Sequence, residues 1–196
     1  MTTLSKLSQM FAAAAFLVCG AIVLSAAPAS AQVVCPANPH WTGTVPPINA
    51  QHVFCGEVRN NGSAAGFHSR PGGVNPASVA GFVVTDNPNS LGVYGGTVTL
   101  VNPNGANPNK YSSMYPDSCT AAEVQASILH AVANPQPGGC AVGNGNWTCG
   151  KNRPADGDGA GFCIGDSPGS RFYIAYHVLP VGHAHAGSVN TAFPLR

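Results

Sequence analysis

Charge is what this chain has least of. Asp, Glu, Lys and Arg together make up 8% of 196 residues, against about a quarter in an average soluble domain. Regular helix is also scarce: Gly and Pro contribute 24 and 17 residues, a composition that favours short strands and many turns. No short repeat is visible, and apolar β-formers recur throughout. That excludes collagen-like and disordered classes. There is no C-x-x-C and no H-x-x-x-H pair, so a structural zinc site is not expected. After residue 31 no segment is long and apolar enough to span a bilayer, which takes roughly 20 residues.

The N-terminus has a distinct pattern. Lys6 gives a weakly positive start, Met10–Leu24 is apolar, and "APASAQ" places small residues at Ala29 and Ala31. This is the pattern of a signal peptide cut after Ala31. It predicts a secreted protein, extracellular or periplasmic, with no membrane attachment after cleavage. Cys19, in "FLVCG", lacks the small residue expected before a lipidated cysteine. Cleavage removes Lys6 and Cys19, leaving seven basic against seven acidic residues. Six cysteines remain: Cys35, Cys55, Cys119, Cys140, Cys149 and Cys163. An even count in an exported chain predicts three disulfides, among fifteen possible connectivities.

At 196 residues the chain fits one domain behind the leader. Residues 32–50 are Pro-rich and irregular, an extension tied down through Cys35, and the folded body is expected over 51–196. The fold class is α+β, a largely antiparallel sheet with one clear helix over 120–133. In that helix Thr120 and Glu123 form a capping box. Val124, Ile128 and Val132 make the buried stripe, Pro135 stops it, and His130 lies off the stripe as a surface residue. Strands are expected over Val79–Thr85, Gly92–Val101, Arg171–Val178 and Gly187–Phe193, with a short one over Ala160–Ile164. Residues 102–109, 134–146 and 153–161 read as loops. The last carries Asp-Gly-Asp-Gly but lacks the glutamate an EF-hand needs.

The stretch "HVFCGEVRNNGSAAGFHSRPGG" begins and nearly ends on a histidine, His52 and His68. "NNG" is a hairpin signal. A two-residue turn pairs residues whose numbers sum to 123 and puts the histidines on opposite faces. A three-residue loop, with Gly62 in the left-handed position, pairs residues summing to 122. His52 and His68 then become diagonal neighbours on one face, roughly 7–8 Å apart. Two imidazoles so placed divide acid and base work, since each titrates near ~6.5 when unperturbed. RNA phosphodiester cleavage requires that division: a base for the ribose 2′-hydroxyl, an acid for the departing 5′-oxygen, and a cation for the phosphoryl oxygens. Arg59 and Arg70 flank the same hairpin and offer a local positive patch.

This stretch resembles the His–Gly-Glu … Gly-x-His core of bacterial EndoU-type ribonucleases. Two further blocks follow in the same order. "KYSSMYPDSCTAAEVQASILHAVAN" (Lys110–Asn134) resembles that family's strand-to-helix segment, and "GSVNTAFPLR" (Gly187–Arg196) its closing strand. The resemblance implies an RNA endonuclease that leaves a 2′,3′-cyclic phosphate, with no required cofactor and manganese stimulation left open. It implies His68 as general base, His52 as general acid and Lys110 as the stabilising cation. Thr191, Ser113 and Phe193 would contact the substrate. The partners implied are RNA and, for a toxin, a cognate immunity protein. Phe193 stands where many relatives carry Tyr, and Cys119 where a Trp is expected, as though a disulfide replaced a packed aromatic. The plainer alternatives stay open: Lys110 as a solvated lysine, Thr191 as strand propensity, Phe193 as core. A rival class is a secreted, disulfide-stabilised binding or structural protein that keeps the fold without activity. A third reading is a metal site built from His177, His183 and His185, with His183 and His185 near the catalytic histidines.

Overall fold

A computed structural model of the chain describes residues 33–165, 169 and 171–196. The expected signal peptide lies outside the described residues. The fold is α+β. A small hairpin pairs β1 (Glu57–Val58) with β2 (Ala64–Ala65). Three antiparallel strands follow: β3 (Val79–Asp86), β4 (Tyr94–Leu100) and β5 (Asn109–Met114), in that order across the sheet. The chain then enters helix α1 (Ala121–Ala133) and returns through β6 (Cys140–Val142), β7 (Gly145–Lys151), β8 (Tyr173–Val178) and β9 (Val189–Pro194). These form a second antiparallel sheet in sequence order.

Helix α1 forms as its sequence specifies. Thr120 accepts from the Glu123 amide at 3.2 Å, and the Glu123 carboxylate accepts from the Thr120 amide at 2.7 Å. Each orphan donor of the first turn so satisfied stabilises the helix by about 1 kcal/mol. The helix packs on β7 and β8, burying Val124, Ser127, Ile128 and Ala131. Burial of Val124 and Ile128 contributes about 1.5–3 kcal/mol each. His130 is half-buried, its Nδ1 2.9 Å from the Lys151 carbonyl. It therefore ties the helix to β7 and is not a solvent-facing residue.

There are two apolar cores. One lies between α1 and the four-stranded sheet and includes Phe54, Tyr115, Ile128, Phe172 and Ile174. The other lies under the three-stranded sheet and includes Phe67, Tyr94, Val98, Leu100 and Met114. The sheets meet where β5 lies beside β9, with the Ser113 hydroxyl donating to the Pro194 carbonyl. Three disulfides are present: Cys35–Cys55, Cys119–Cys163 and Cys140–Cys149. Cys119 and Cys163 belong to the helix-side core. Cys35–Cys55 fastens residues 33–50 to the body. Ile48 of that segment is fully buried and bridges Val189 of β9.

The structure corrects three expectations about elements. Residues 140–151 form the β6–β7 hairpin, although residues 134–146 read as a loop. Residues 160–164 form no strand. The third correction concerns His52. The hairpin register does sum to 122, with Glu57 opposite Ala65 and Val58 opposite Ala64. Gly62 takes the left-handed conformation, φ 80°. Pairing stops at Glu57, however, and Gln51–Cys55 coils into a single wide helical turn. His52 is therefore on a helical turn and not on a strand. The sequence "QHVFC" ends in strand-forming residues, but four of its five residues are buried, and a short, largely buried run carries no periodicity to tell turn from strand.

Candidate active site

The helical turn and the loop after β2 bring the two histidines together. His52 O accepts from the Phe67 amide at 2.7 Å, and Val53 O accepts from the His68 amide at 2.7 Å. The turn is held from the other side by Asn49, whose Oδ1 accepts from the His52 amide at 2.9 Å. The imidazole centroids stand 6.0 Å apart, closer than strand-diagonal spacing would give. Both rings are buried, 6% and 7% exposed.

The approach depends on Gly66. Its φ is +70°, and a Cβ there would lie 2.1 Å from His52 O. Any side chain would push the two histidine segments apart. Phe67 follows with φ +62°, a conformation a bulky residue adopts at a cost of about 1–3 kcal/mol. It is held there by full burial in the second core and by the Ser112 hydroxyl on its carbonyl.

The two rings have opposite surroundings. His52 Nδ1 lies 2.7 Å from Glu57 Oε1. That hydrogen bond, above all, holds the Glu57 carboxyl below its ordinary range. An ionised carboxylate can only accept, so Nδ1 of His52 carries a proton and Nε2 is available to carry a second. His68 Nδ1 lies 3.0 Å from the Ser113 carbonyl, which also only accepts. Its Nε2 therefore presents a lone pair. Burial, then the charges of Lys110 and His52, keep His68 well below 6.5 and hence neutral.

Lys110 enters from β5. Its ammonium donates to Gly66 O at 3.0 Å and to Ser112 Oγ at 3.2 Å. Ser112 Oγ is in turn 3.1 Å from His68 Nδ1. Burial and the neighbouring Arg59 bring Lys110 down to about 8. Two of its three protons are committed, leaving one for an anion.

The remaining sequence-derived residues are also placed. Phe193 on β9 stacks on His68, centroids 5.3 Å apart. Thr191 is buried and lies on the same face of β9, two residues earlier. Ser113 contributes its carbonyl to His68, while its hydroxyl is turned to Pro194 O. An apolar cleft of about 360 Å³ opens beside His68, lined by Tyr111, Val142, Phe193 and Arg196.

Other expectations fail here. Arg70 adds nothing to a positive patch: it pairs with Asp117 at 3.0 Å and its guanidinium lies 4.8 Å over the Phe82 ring. Nor do His177, His183 and His185 form a metal centre. Among the described residues no three His, Cys, Asp or Glu side chains gather. His185 stacks on Trp41, centroids 4.5 Å apart, and its amide donates to His183 Nδ1 at 3.1 Å.

Glu57 and Ser112 had no role from the sequence. Glu57 had a signal, being the first carboxylate of the chain and the only one before Asp86. Ser112 had none, since its position depends on how β5 meets the loop after β2.

The comparisons with known proteins fit this arrangement. A family profile described as bacterial EndoU nuclease matches residues 48–196, most of the chain. The chain belongs to the bacterial EndoU nuclease family. No curated protein and no solved structure matches it. The match spans both histidines, Lys110 and the whole of β9, so the chain carries a nuclease domain. Three disulfides are consistent with an oxidising compartment, and no helix among the described residues is long and apolar enough to cross a membrane.

Proposed function

We propose that this EndoU protein is an exported endoribonuclease that cuts RNA by internal attack of a ribose 2′-hydroxyl. The observation that carries the proposal is the pair of buried imidazoles 6.0 Å apart with unlike proton environments. His68, neutral with a free Nε2, takes the 2′-hydroxyl proton. The 2′-oxygen attacks phosphorus, and the bond from phosphorus to the 5′-oxygen breaks. His52, its Nδ1 proton held by Glu57, gives a proton from Nε2 to the departing 5′-oxygen. The products are a 2′,3′-cyclic phosphate and a 5′-hydroxyl. The third proton of Lys110 stabilises charge gathering on the phosphoryl oxygens. Phe193 stacks a base, with Thr191 and Ser113 at the edge of that subsite. Each step is assigned to a side chain of the protein, so no cofactor is needed.

Export follows cleavage after Ala31, and the mature enzyme acts on RNA outside its own cytoplasm. It serves as a toxin with a cognate immunity protein or as an extracellular RNA-degrading enzyme. The test is cleavage of a labelled uridine-containing RNA by the oxidised mature protein, with His52→Ala and His68→Ala alongside, in EDTA and in manganese. Wild type should cut in both buffers to cyclic-phosphate ends and both variants should be inactive. An inert wild type would transfer the case to a non-enzymatic binding role.

A further inference from the structure

A cleft of about 760 Å³ borders Glu57, the hydrogen-bond partner of His52, and shares no lining residue with the Phe193 cleft. Its wall includes Glu57, Arg59 and Asn60 of the hairpin and Asn102 and Asn104 of the turn between β4 and β5. Apart from Glu57 and Arg59, its polar lining is amide and hydroxyl. Amides present a donor and an acceptor side by side, the pattern that reads the edges of unstacked bases. Arg59 is exposed at the rim and close enough to Lys110 to lower the charge affinity of that lysine.

The histidine pair thus adjoins two clefts of different character. His68 borders the smaller, apolar one. Glu57, one hydrogen bond from His52, borders the larger, amide-lined one. In 2′-hydroxyl attack the nucleoside that supplies the 2′-oxygen lies by the base, and the one that departs with the 5′-oxygen lies by the acid. Resting on the endoribonuclease reading, we infer that the amide-lined cleft binds the nucleotides 3′ of the scissile phosphate. RNA then runs 5′ to 3′ from Phe193, past the two histidines, to Asn60 and Asn104. This also accounts for a nuclease so poor in charge: much of its hold on RNA comes from base edges, leaving few phosphates to neutralise.

The experiment uses two substrates. Uridine 3′-(4-nitrophenyl phosphate) has no 3′ nucleotide, and its leaving group departs without a proton. The second is a set of oligodeoxynucleotides with a single ribouridine, lengthened on the 3′ or the 5′ side. For wild type, kcat/KM should rise as 3′ nucleotides are added and change little with 5′ additions. The double variant Asn60→Ala/Asn104→Ala should lose about tenfold on the 3′-extended substrate, as expected for two hydrogen bonds, and should turn over the aryl ester at the wild-type rate. Asn102 is left intact because its side chain holds the turn through Ala106 O and the Asn104 amide. A gain from 5′ additions alone, or an equal loss on both substrates, overturns the inference and leaves the endoribonuclease reading standing. A wild type that cleaves neither the aryl ester nor any ribouridine oligonucleotide removes both.

Discussion

The turn that carries His52 and the loop that carries His68 pose the same side chain in two ways. His52 faces a carboxylate, 2.7 Å away. His68 faces a carbonyl, with a lysine behind it and an aromatic ring against its face. A charge partner favours imidazolium, whereas burial against neutral acceptors beside another cation disfavours it. Placing the rings on two segments, a helical turn and a loop, lets each have its own neighbours. A flat hairpin would have given both rings nearly the same surroundings. Under the proposed mechanism the difference teaches that what lies behind each ring, and not the ring itself, divides acid from base.

The largest effect should come from removing either histidine. On RNA, His52→Ala and His68→Ala should each lose about 10²–10⁴-fold in kcat, the range of a positioned acid or base. The aryl phosphate separates them, because 4-nitrophenolate needs no proton to leave. On it His68→Ala should stay inactive while His52→Ala recovers most of the wild-type rate. Equal losses on both substrates would mean that the two rings do not divide the work. Glu57→Gln should fall next, by about 10²-fold on RNA, the low end of the acid's contribution, with little change on the aryl ester. Rate measurements on the two substrates side by side check both.

The contact between the segments can be broken without touching either ring. Gly66→Ala puts a methyl group 2.1 Å from His52 O at φ +70°. Steric overlap and left-handed strain together should cost about 2–4 kcal/mol of stability. Gly62→Ala, at φ +80° with open space around it, should cost only about 1–2 kcal/mol, the left-handed penalty alone. Urea midpoints of the two variants give the comparison. Similar losses would show that the close approach at His52 O contributes little.

Much of this was legible in the sequence, and what was not has physical reasons. The capping box at Thr120 and Glu123, the disulfide count and the gathering of His52, His68 and Lys110 came from local patterns or from family resemblance, whereas the "NNG" hairpin signal left two registers open. The β6–β7 hairpin was hidden because its residues are Gly- and Asn-rich and its pairing is fixed by β8, far along the chain. Arg70 looked available because nothing local announces Asp117, 47 residues on. Glu57 lay in plain sight. A strand reading, however, pointed it away from His52, and only the coiling of Gln51–Cys55 brings its carboxylate under the ring.

The smallest effect is on the pH profile, and it sharpens the comparison most. His68 must be neutral to act as base. Burial has lowered its folded value well below 6.5, so the acid limb of kcat/KM on the aryl ester should lie below pH 6.5. The same shift affects stability. The unfolded chain takes up this proton near ~6.5 and the folded chain does not, so the contribution of His68 is full above that pH and is lost as pH falls toward the folded value. Lys110 must be charged to stabilise the phosphoryl oxygens, and it deprotonates at about 8. The rate should therefore fall by about tenfold per pH unit above that point. Since the aryl ester bypasses the acid, its alkaline limb reports Lys110 and not His52. Lys110→Arg, whose guanidinium stays charged, should carry that limb out of the measurable range while lowering the plateau. An unmoved alkaline limb in Lys110→Arg would assign it to another group and remove the lysine from the transition state.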